Sequence, residues 1–186
     1  HSGRIEFVPW FRAQEIARTG PDVGILALTR SPERESAYRW MVEVLVDDLV
    51  LVGAPGVDVS SLERVKDRPT GVLANSGAQA LLREAGFTRI SPQREEWLNA
   101  RRIRERRVDA WLAPRAMVIH AVREVGGNLD VLQFGQIVRP SPIFLAASPD
   151  VSEAEAARWR AAFEAMRADG TWDAIRRRYE GAAVDP

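Results

Sequence analysis

The stretch "DVGILALTRSPERE", residues 22–35, contains the most informative turn in the sequence. Its apolar run, residues 22–28, predicts a parallel strand that is covered on both faces. Ser31, Pro32 and Glu33 then provide an N-cap, a proline at the first helical position and an acidic first turn, which predict the start of a helix. A strand that leads directly into a helix is typical of α/β folds.

The same alternation continues on both sides of this stretch. Residues 4–10 are predicted as a strand and residues 11–20 as a helix, and Ser152 with Glu155 predicts a capping box at a late helix. Strand-then-helix patterns recur across residues 70–86 and 108–127. The sequence therefore predicts an α/β protein with mainly parallel sheets flanked by helices. An irregular stretch near residues 53–70 indicates two lobes rather than one sheet.

Composition excludes several classes of function. The 186 residues contain 26 basic and 26 acidic side chains, so the formal charge is zero and gives no basic excess for binding nucleic acid. There is no cysteine and only two histidines, so we expect no thiolate site, no resident metal and no cofactor. Asp47-Asp48 is read either as a metal pair or as a charged break at a hinge or edge strand, and we favour the break. We see neither a membrane-spanning run nor a signal peptide in this chain.

Arg34 is the strongest candidate for a binding residue. Thr29 ends its strand at the carboxyl edge of the sheet, where open α/β folds bind ligands, and Arg34 follows one turn later. A guanidinium offers two parallel donors that match a carboxylate. Either Arg34 binds an anion there, or it pairs with Glu33, Glu35 or the neighbouring lobe. The sequence alone does not favour either of these two interpretations.

A second small-residue turn, "ANSGAQ", places Ser76 and Gly77 before another predicted helix. Their backbone N–H groups are suited to an anion or a polar ligand group. We find no catalytic signature: the nucleophile elbow, the P-loop, the zinc-protease motif and the dinucleotide fingerprint are all missing. We therefore expect a binding module without catalytic residues.

Four segments, in order, resemble the family 3 periplasmic solute-binding proteins, the amino-acid-type binding proteins of ABC importers. "VPWFRAQEIARTGPDVGILALTRSPERE" resembles the family's strand, helix, strand and "T-x-x-x-E-R" segment. "SLERVKDRPTGVLANSGAQALL" is similar to the entry to its second lobe, and "RRIRERRVDAWLA" to its "L-x-x-G-r-v-D-A". "MRADGTWDAIRRRYEG" resembles the family's closing "dGT-x-x-x-I-x-x-k-Y".

The resemblance implies a periplasmic two-lobed clamp that closes on a small solute and delivers it to the membrane subunits of an ABC transporter, or signals to a membrane receptor. It implies a first lobe of residues 1–44 plus 144–186, a second lobe of residues 45–143, and hinge crossings near 42–50 and 138–146. The ligand-binding residues carried over by position are Arg34, Thr29, Ser76, Gly77 and, more loosely, Trp10.

Two departures from the family pattern shape the expected ligand. Where the family places an aspartate that receives an α-ammonium, this chain has Pro114. We therefore expect an anionic, carboxylate-bearing ligand that lacks this ammonium or presents it differently. The family's first strand and helix also have no counterpart before Arg4, so the first lobe is expected to be incomplete, and its open edge is a possible site of homodimer formation.

Two alternative functions remain open at this point. One is a sensing, signalling or scaffold domain of the same fold, with or without a ligand. The other is an enzyme, since some proteins of this fold resemble dehydratases of cyclic carboxylic acids. No carboxylate in the sequence has motif support for that catalytic role.

Overall fold

Two 15-residue strands, β2 and β6, run antiparallel to each other and organise the protein. The computed structural model describes residues 4–180, with side chains through residue 178. Short 3₁₀ turns lie at Pro32–Arg34 and Leu129–Val131. The remaining elements, in chain order, are α1 (Trp10–Thr19), β1 (Gly24–Thr29), β2 (Arg39–Gly53), α2 (Leu62–Val65), β3 (Thr70–Leu73), α3 (Gly77–Glu84), β4 (Ile90–Gln93), α4 (Glu96–Arg104), β5 (Ala110–Pro114), α5 (Arg115–Glu124), β6 (Gln133–Ala147), α6 (Glu153–Ala168) and α7 (Thr171–Glu180).

The six described strands form one mixed sheet in the order β1-β6-β2-β5-β3-β4, so the expectation of separate sheets on either side of residues 53–70 was wrong. The pairs β1/β6, β6/β2 and β2/β5 are antiparallel, whereas β5/β3 and β3/β4 are parallel. The α/β prediction is confirmed, but the expectation of mainly parallel pairing was wrong. The long strands β2 and β6 carry the chain in opposite directions, so each lies antiparallel to its neighbours.

Strand β1 differs from the buried parallel strand that its apolar sequence predicts. It lies at the edge of the sheet, and among the described strands it pairs only with β6. Its register shifts between Ile25 and Leu28, with Ala27 at φ 63°, so Leu26 is 61% exposed. The bulge turns apolar side chains away from the core, and only Ile25 and Leu28 are buried.

The segment before α1 is not the strand that its sequence predicts. Residues 4–9 have no regular structure, and Trp10 already begins the helix. Ile5 and Phe7 are 72% and 97% exposed. A strand needs a hydrogen-bonded neighbour, and none of the described strands pairs with this segment.

Strand β6 runs through Pro140 and Pro142 and joins two segments whose apolar composition predicts separate strands, residues 129–138 and 142–148. Strand β1 pairs with β6 only from Ile143 onward, so residues 133–142 have β2 as a strand partner on one side and no described strand on the other. Prolines are tolerated there because one side of the strand needs no ladder hydrogen bond.

Within residues 4–178, the buried apolar side chains form three clusters rather than one. A large core, from Leu49 to Val122, packs between the second half of β2, strands β3 and β5, and helices α3 to α5. Two small cores lie at the other end of the sheet, one around Met41, Leu145 and α6, and one around Ala17, Leu28 and Tyr38. None of the helices within residues 4–180 is both long and apolar enough to cross a membrane.

Helix α6 begins at the predicted cap. The Ser152 hydroxyl accepts a hydrogen bond from the backbone N–H of Glu155 at 3.1 Å. We expect Ser152→Ala to lower the free energy of unfolding by about 1 kcal/mol, since an N–H at the helix start loses its acceptor. Urea denaturation followed by circular dichroism measures the change, with the exposed Ser36→Ala as control. Equal midpoints for the two variants would contradict the capping role.

Candidate ligand-binding cleft

Arg34 is held in place by neutral groups. It ends the 3₁₀ turn after β1, and its guanidinium donates to the Thr29 carbonyl oxygen at 3.2 Å and to Gln14 Oε1 at 2.8 Å. The Tyr38 hydroxyl donates to the Gln14 carbonyl oxygen at 3.1 Å and ties the turn to α1. The side chain is half-buried, and loss of hydration lowers the pKa of Arg34, although Tyr38 and Glu33 act in the opposite direction.

Neither acidic neighbour suggested by the sequence pairs with Arg34. Glu35 accepts from Arg30, with Nε to Oε2 at 2.9 Å. Glu33 is hydrogen-bonded to Ser31, which is the main reason that the pKa of Glu33 lies below its usual value. Arg34 thus forms no ion pair with any side chain in the described part of the chain, residues 4–178. This favours the reading in which its charge is kept for a ligand.

The predicted capped helix at Ser31 was wrong. The structure has a single 3₁₀ turn of three residues, and the Ser31 side chain caps no backbone N–H. The chain enters β2 at Arg39, too soon for a full helix to form. A helix dipole therefore adds nothing here, and the anion-binding potential of this turn depends on the Arg34 side chain.

Thr29 connects this turn to the crossing strand β6. Its hydroxyl lies 3.4 Å from the hydroxyl of Ser141, which is buried on β6. Ser141 lies opposite Asp47 of β2 in an antiparallel register, so their side chains project from the same face of the sheet. The sequence did not predict Ser141 as a site residue, because only strand register brings it to Thr29.

The turn at Ser76 and Gly77 forms as predicted. Ser76 caps α3 by accepting from the Gln79 N–H at 3.2 Å, and it donates to the Leu73 carbonyl oxygen at 2.7 Å. Asn75 sits at φ 57°, and its N–H donates to Gln79 Oε1 at 2.8 Å. The Ser76 hydroxyl is thus engaged within the turn, and a ligand would meet its backbone.

Arg139 of β6 connects the two predicted turns. Its Nη2 lies 3.6 Å from the position that a Cβ on Gly77 would occupy. Its charge also contributes to lowering the pKa of Glu33, after the hydrogen bonds that Glu33 makes. Arg139 lies two residues from Ser141 and thus on the same face of β6. The turn at residues 75–77 therefore adjoins Arg139, and the turn at residues 31–34 reaches the same face of β6 through Thr29 and Ser141. The sequence analysis did not identify Arg139.

Asp47 supplies a carboxylate close to the position where Pro114 provides none. Its oxygens accept from the backbone N–H of Ala116, at 3.1 and 3.4 Å, at the start of α5. Pro114, the N-cap residue of α5, makes no side-chain cap. Burial raises the pKa of Asp47, while the hydrogen bonds from Ala116 and Asp48 oppose the rise. We find no group of three or more potential metal ligands among the described residues.

Trp10 begins α1 and packs, partly buried, against the small core that contains Ala17 and Leu28. These contacts help to stabilise the small core, and a ligand-binding role for Trp10 stays a prediction. Two cavities are lined by other residues: one of about 430 Å³ beside Arg30 and Trp40, and one of about 610 Å³ beside Asp58 and Phe134. Neither is lined by Arg34 or Gly77, so the predicted site is not part of either cavity.

No sequence-family model and no curated protein sequence matches the chain. Solved structures do match it. An ancestral arginine-binding protein bound to glutamine has a TM-score of 0.78 and 19% identity, over 95% of this chain and 79% of the other. The arginine-, lysine-, histidine-binding protein ArtJ from Geobacillus stearothermophilus has a TM-score of 0.82 and 17% identity, over 96% and 78%.

A third similar structure is a histidine kinase sensor domain with similarity to periplasmic binding proteins. It matches with a TM-score of 0.82 and 15% identity, over 92% of this chain and 75% of the sensor domain. Identities at this level establish the fold, and the three structures agree on it. The chain therefore has the periplasmic-binding-protein-like fold, as the order of its motifs predicts.

Proposed function

We propose that this protein binds a small carboxylate-bearing solute in a cleft between two lobes, as the extracytoplasmic binding protein of an ABC-type importer. The observation that carries this proposal is the half-buried guanidinium of Arg34, which Gln14 and Thr29 orient and no acidic side chain among residues 4–178 neutralises. Burying a cation without a partner is costly, so a site of this kind is suited to an anion from outside the chain.

The proposed first lobe comprises residues 1–44 plus 144–186, and the second lobe residues 45–143. Their separate apolar cores support this division: the large core draws on residues 49–122, and the small cores draw on residues outside that range. The proposed hinge crossings, near 42–50 and 138–146, fall within the long strands β2 and β6. Closure of such a hinge would bring the turn at Gly77 towards Arg34.

The ligand proposal follows from the charges on the cleft face. A carboxylate matches the paired donors of a guanidinium, so Arg34 would bind an acidic group of the ligand. With proline at position 114, an α-ammonium has no acceptor there. The half-buried carboxylate of Asp47, beside Ala116, is the acidic group that a differently placed amine would meet.

The similar structures support a binding role and leave two partners open. They are amino-acid-binding proteins and a kinase sensor domain, rather than enzymes. We therefore propose a non-enzymatic, periplasmic protein whose partner is either ABC transporter membrane subunits or a membrane receptor. A kinase or cyclase segment in the full-length gene would indicate the receptor. Any homodimer would form through the open edge of β1.

Removing the Arg34 guanidinium tests the proposal. We expect Arg34→Ala to weaken binding of short carboxylic acids by about 10- to 100-fold, since a charge-assisted hydrogen-bond pair is lost. Titration calorimetry with a panel of carboxylic acids and their amides measures the change. The control is Arg123→Ala, an exposed arginine on α5. Unchanged acid binding by Arg34→Ala would remove Arg34 from the site.

Thermal denaturation in the presence of each member of a metabolite library distinguishes a solute-binding protein from a scaffold domain that binds no ligand. A true ligand at 100 times its Kd adds about 2.7 kcal/mol of stability. A scaffold that has lost its site would show no shift of its melting temperature with any acid.

Incubation with cyclic carboxylic acids, followed by product analysis, tests the dehydratase alternative.

A further inference from the structure

We propose that Arg139 binds a second acidic group, so that the preferred ligand carries two carboxylates. This inference rests on the proposed function, because Arg34 must hold the first carboxylate. Arg139 was not among the residues that the family resemblance suggested. Its place in the site follows only from the fold.

The first reason is that the Arg139 guanidinium has no bonding partner among the described residues. It makes no hydrogen bond and no ion pair with any described residue of the chain, whereas Arg30, Arg39 and Arg68 all pair with carboxylates. The side chain is exposed, so it can reach a ligand without breaking an existing contact.

The second reason is its position beside the turn at Gly77 and on the same face of β6 as Ser141. Its Nη2 lies 3.6 Å from the position that a Cβ on Gly77 would occupy, so a ligand that meets the backbone of this turn also meets the guanidinium. Arg34 donates to the Thr29 carbonyl oxygen at 3.2 Å, and the Thr29 hydroxyl lies 3.4 Å from the hydroxyl of Ser141. Ser141 lies two residues from Arg139 and on the same face of β6, so both guanidiniums adjoin the same part of this strand.

The charges around this position favour a dianion. Arg34 and Arg139 contribute two positive charges to the cleft face. Glu33 is exposed and bound to Ser31, and Asp47 is bound to the N–H of Ala116, so neither acid pairs directly with the two arginines. A monocarboxylate would leave Arg139 without a partner, and a second carboxylate would engage it.

Four acids with five-carbon chains test separately the effects of a second carboxylate and of an amine on affinity: pentanoate, 2-aminopentanoate, glutarate and glutamate. Each diacid has a monoacid counterpart, with or without an amine. We expect wild-type protein to bind each diacid at least about tenfold more tightly than its monoacid counterpart, as measured by titration calorimetry. The comparison of glutamate with glutarate shows whether Asp47 also receives an amine.

Arg139→Gln is the test variant and Arg123→Gln the matched control, since both remove one charge from an exposed arginine. We expect Arg139→Gln to weaken binding of the diacids more than that of the monoacids and so to reduce the preference for diacids to about twofold or less, while Arg123→Gln keeps the preference. Three results would overturn the inference: equal binding of monoacids and diacids by wild-type protein, no binding of any of the four acids, or a preference for diacids that survives in Arg139→Gln.

If Arg34→Ala weakens the binding of all four acids while Arg139→Gln changes the binding of none, only this inference fails. If Arg34→Ala changes none, the proposed function fails with it.

Discussion

Replacing Gly135 by alanine is expected to lower the free energy of unfolding by about 3 kcal/mol or more. A Cβ at this position would lie 2.0 Å from the Val59 carbonyl oxygen and 2.6 Å from its carbon. These are backbone atoms, so no side-chain rotation relieves the clash. The Val59 oxygen also accepts from the Gln136 N–H at 3.0 Å, and any shift of this loop weakens that bond. Overpacking of this kind costs about 1–3 kcal/mol even where side chains can adjust.

Gly24→Ala provides the matched control. Gly24 also lies in a strand, but the nearest atom to its Cβ position is 3.9 Å away. We expect this variant to stay within about 0.5 kcal/mol of wild type. Urea denaturation of both variants, followed by circular dichroism, gives the comparison. A Gly135→Ala midpoint equal to that of Gly24→Ala would show that β6 and the loop at Val59 are not in close contact.

Glu96→Gln is expected to change how stability depends on pH. Glu96 is buried at the start of α4, and its Oε2 accepts from Asn99 Nδ2 at 2.9 Å and Trp111 Nε1 at 3.0 Å. Burial raises the pKa of Glu96 to about 7, and the two hydrogen bonds only partly oppose the rise. In the unfolded chain the carboxyl titrates near a pKa of about 4.3.

The sign of the effect follows from proton binding. Between the two pKa values the folded protein holds a proton that the unfolded chain has lost, so stability falls as pH rises. The stabilisation is complete below about pH 4 and is lost as pH rises through about 7, by roughly 4 kcal/mol in total. Denaturant titrations from pH 5 to 8 should show this decline in wild type and a flatter profile in Glu96→Gln. The exposed control Glu84→Gln should follow wild type. Identical profiles for all three proteins would mean that Glu96 is ionised in the folded state.

Local sequence patterns predicted the elements that depend on nearby residues. The cap at Ser152 and the turn at Ser76 form as expected, because serine side chains bond to backbone groups three residues away. Helix α1 ends at Gly20 as its pattern indicates. The order of strand–helix units also predicted the fold class, since each unit must bury one apolar face.

The sequence failed where a segment depends on distant partners. Residues 4–9 have the composition of a strand but no described strand beside them, and β1 is an edge strand although its residues are apolar. Sequence-based prediction of the cleft failed for the same reason. Arg34 was predicted from its own turn, whereas Ser141, Asp47 and Arg139 come together only through the register of β2 and β6. A one-residue slip would send these side chains to the other face.

A crystal structure of the protein grown with a carboxylate ligand identified by calorimetry tests the central claim most directly. We predict that the ligand lies between the turns at residues 31–34 and 75–77, with an acidic group bonded to both terminal nitrogens of Arg34. A ligand bound elsewhere, or one that leaves Arg34 bonded only to Gln14 and Thr29, would contradict the account.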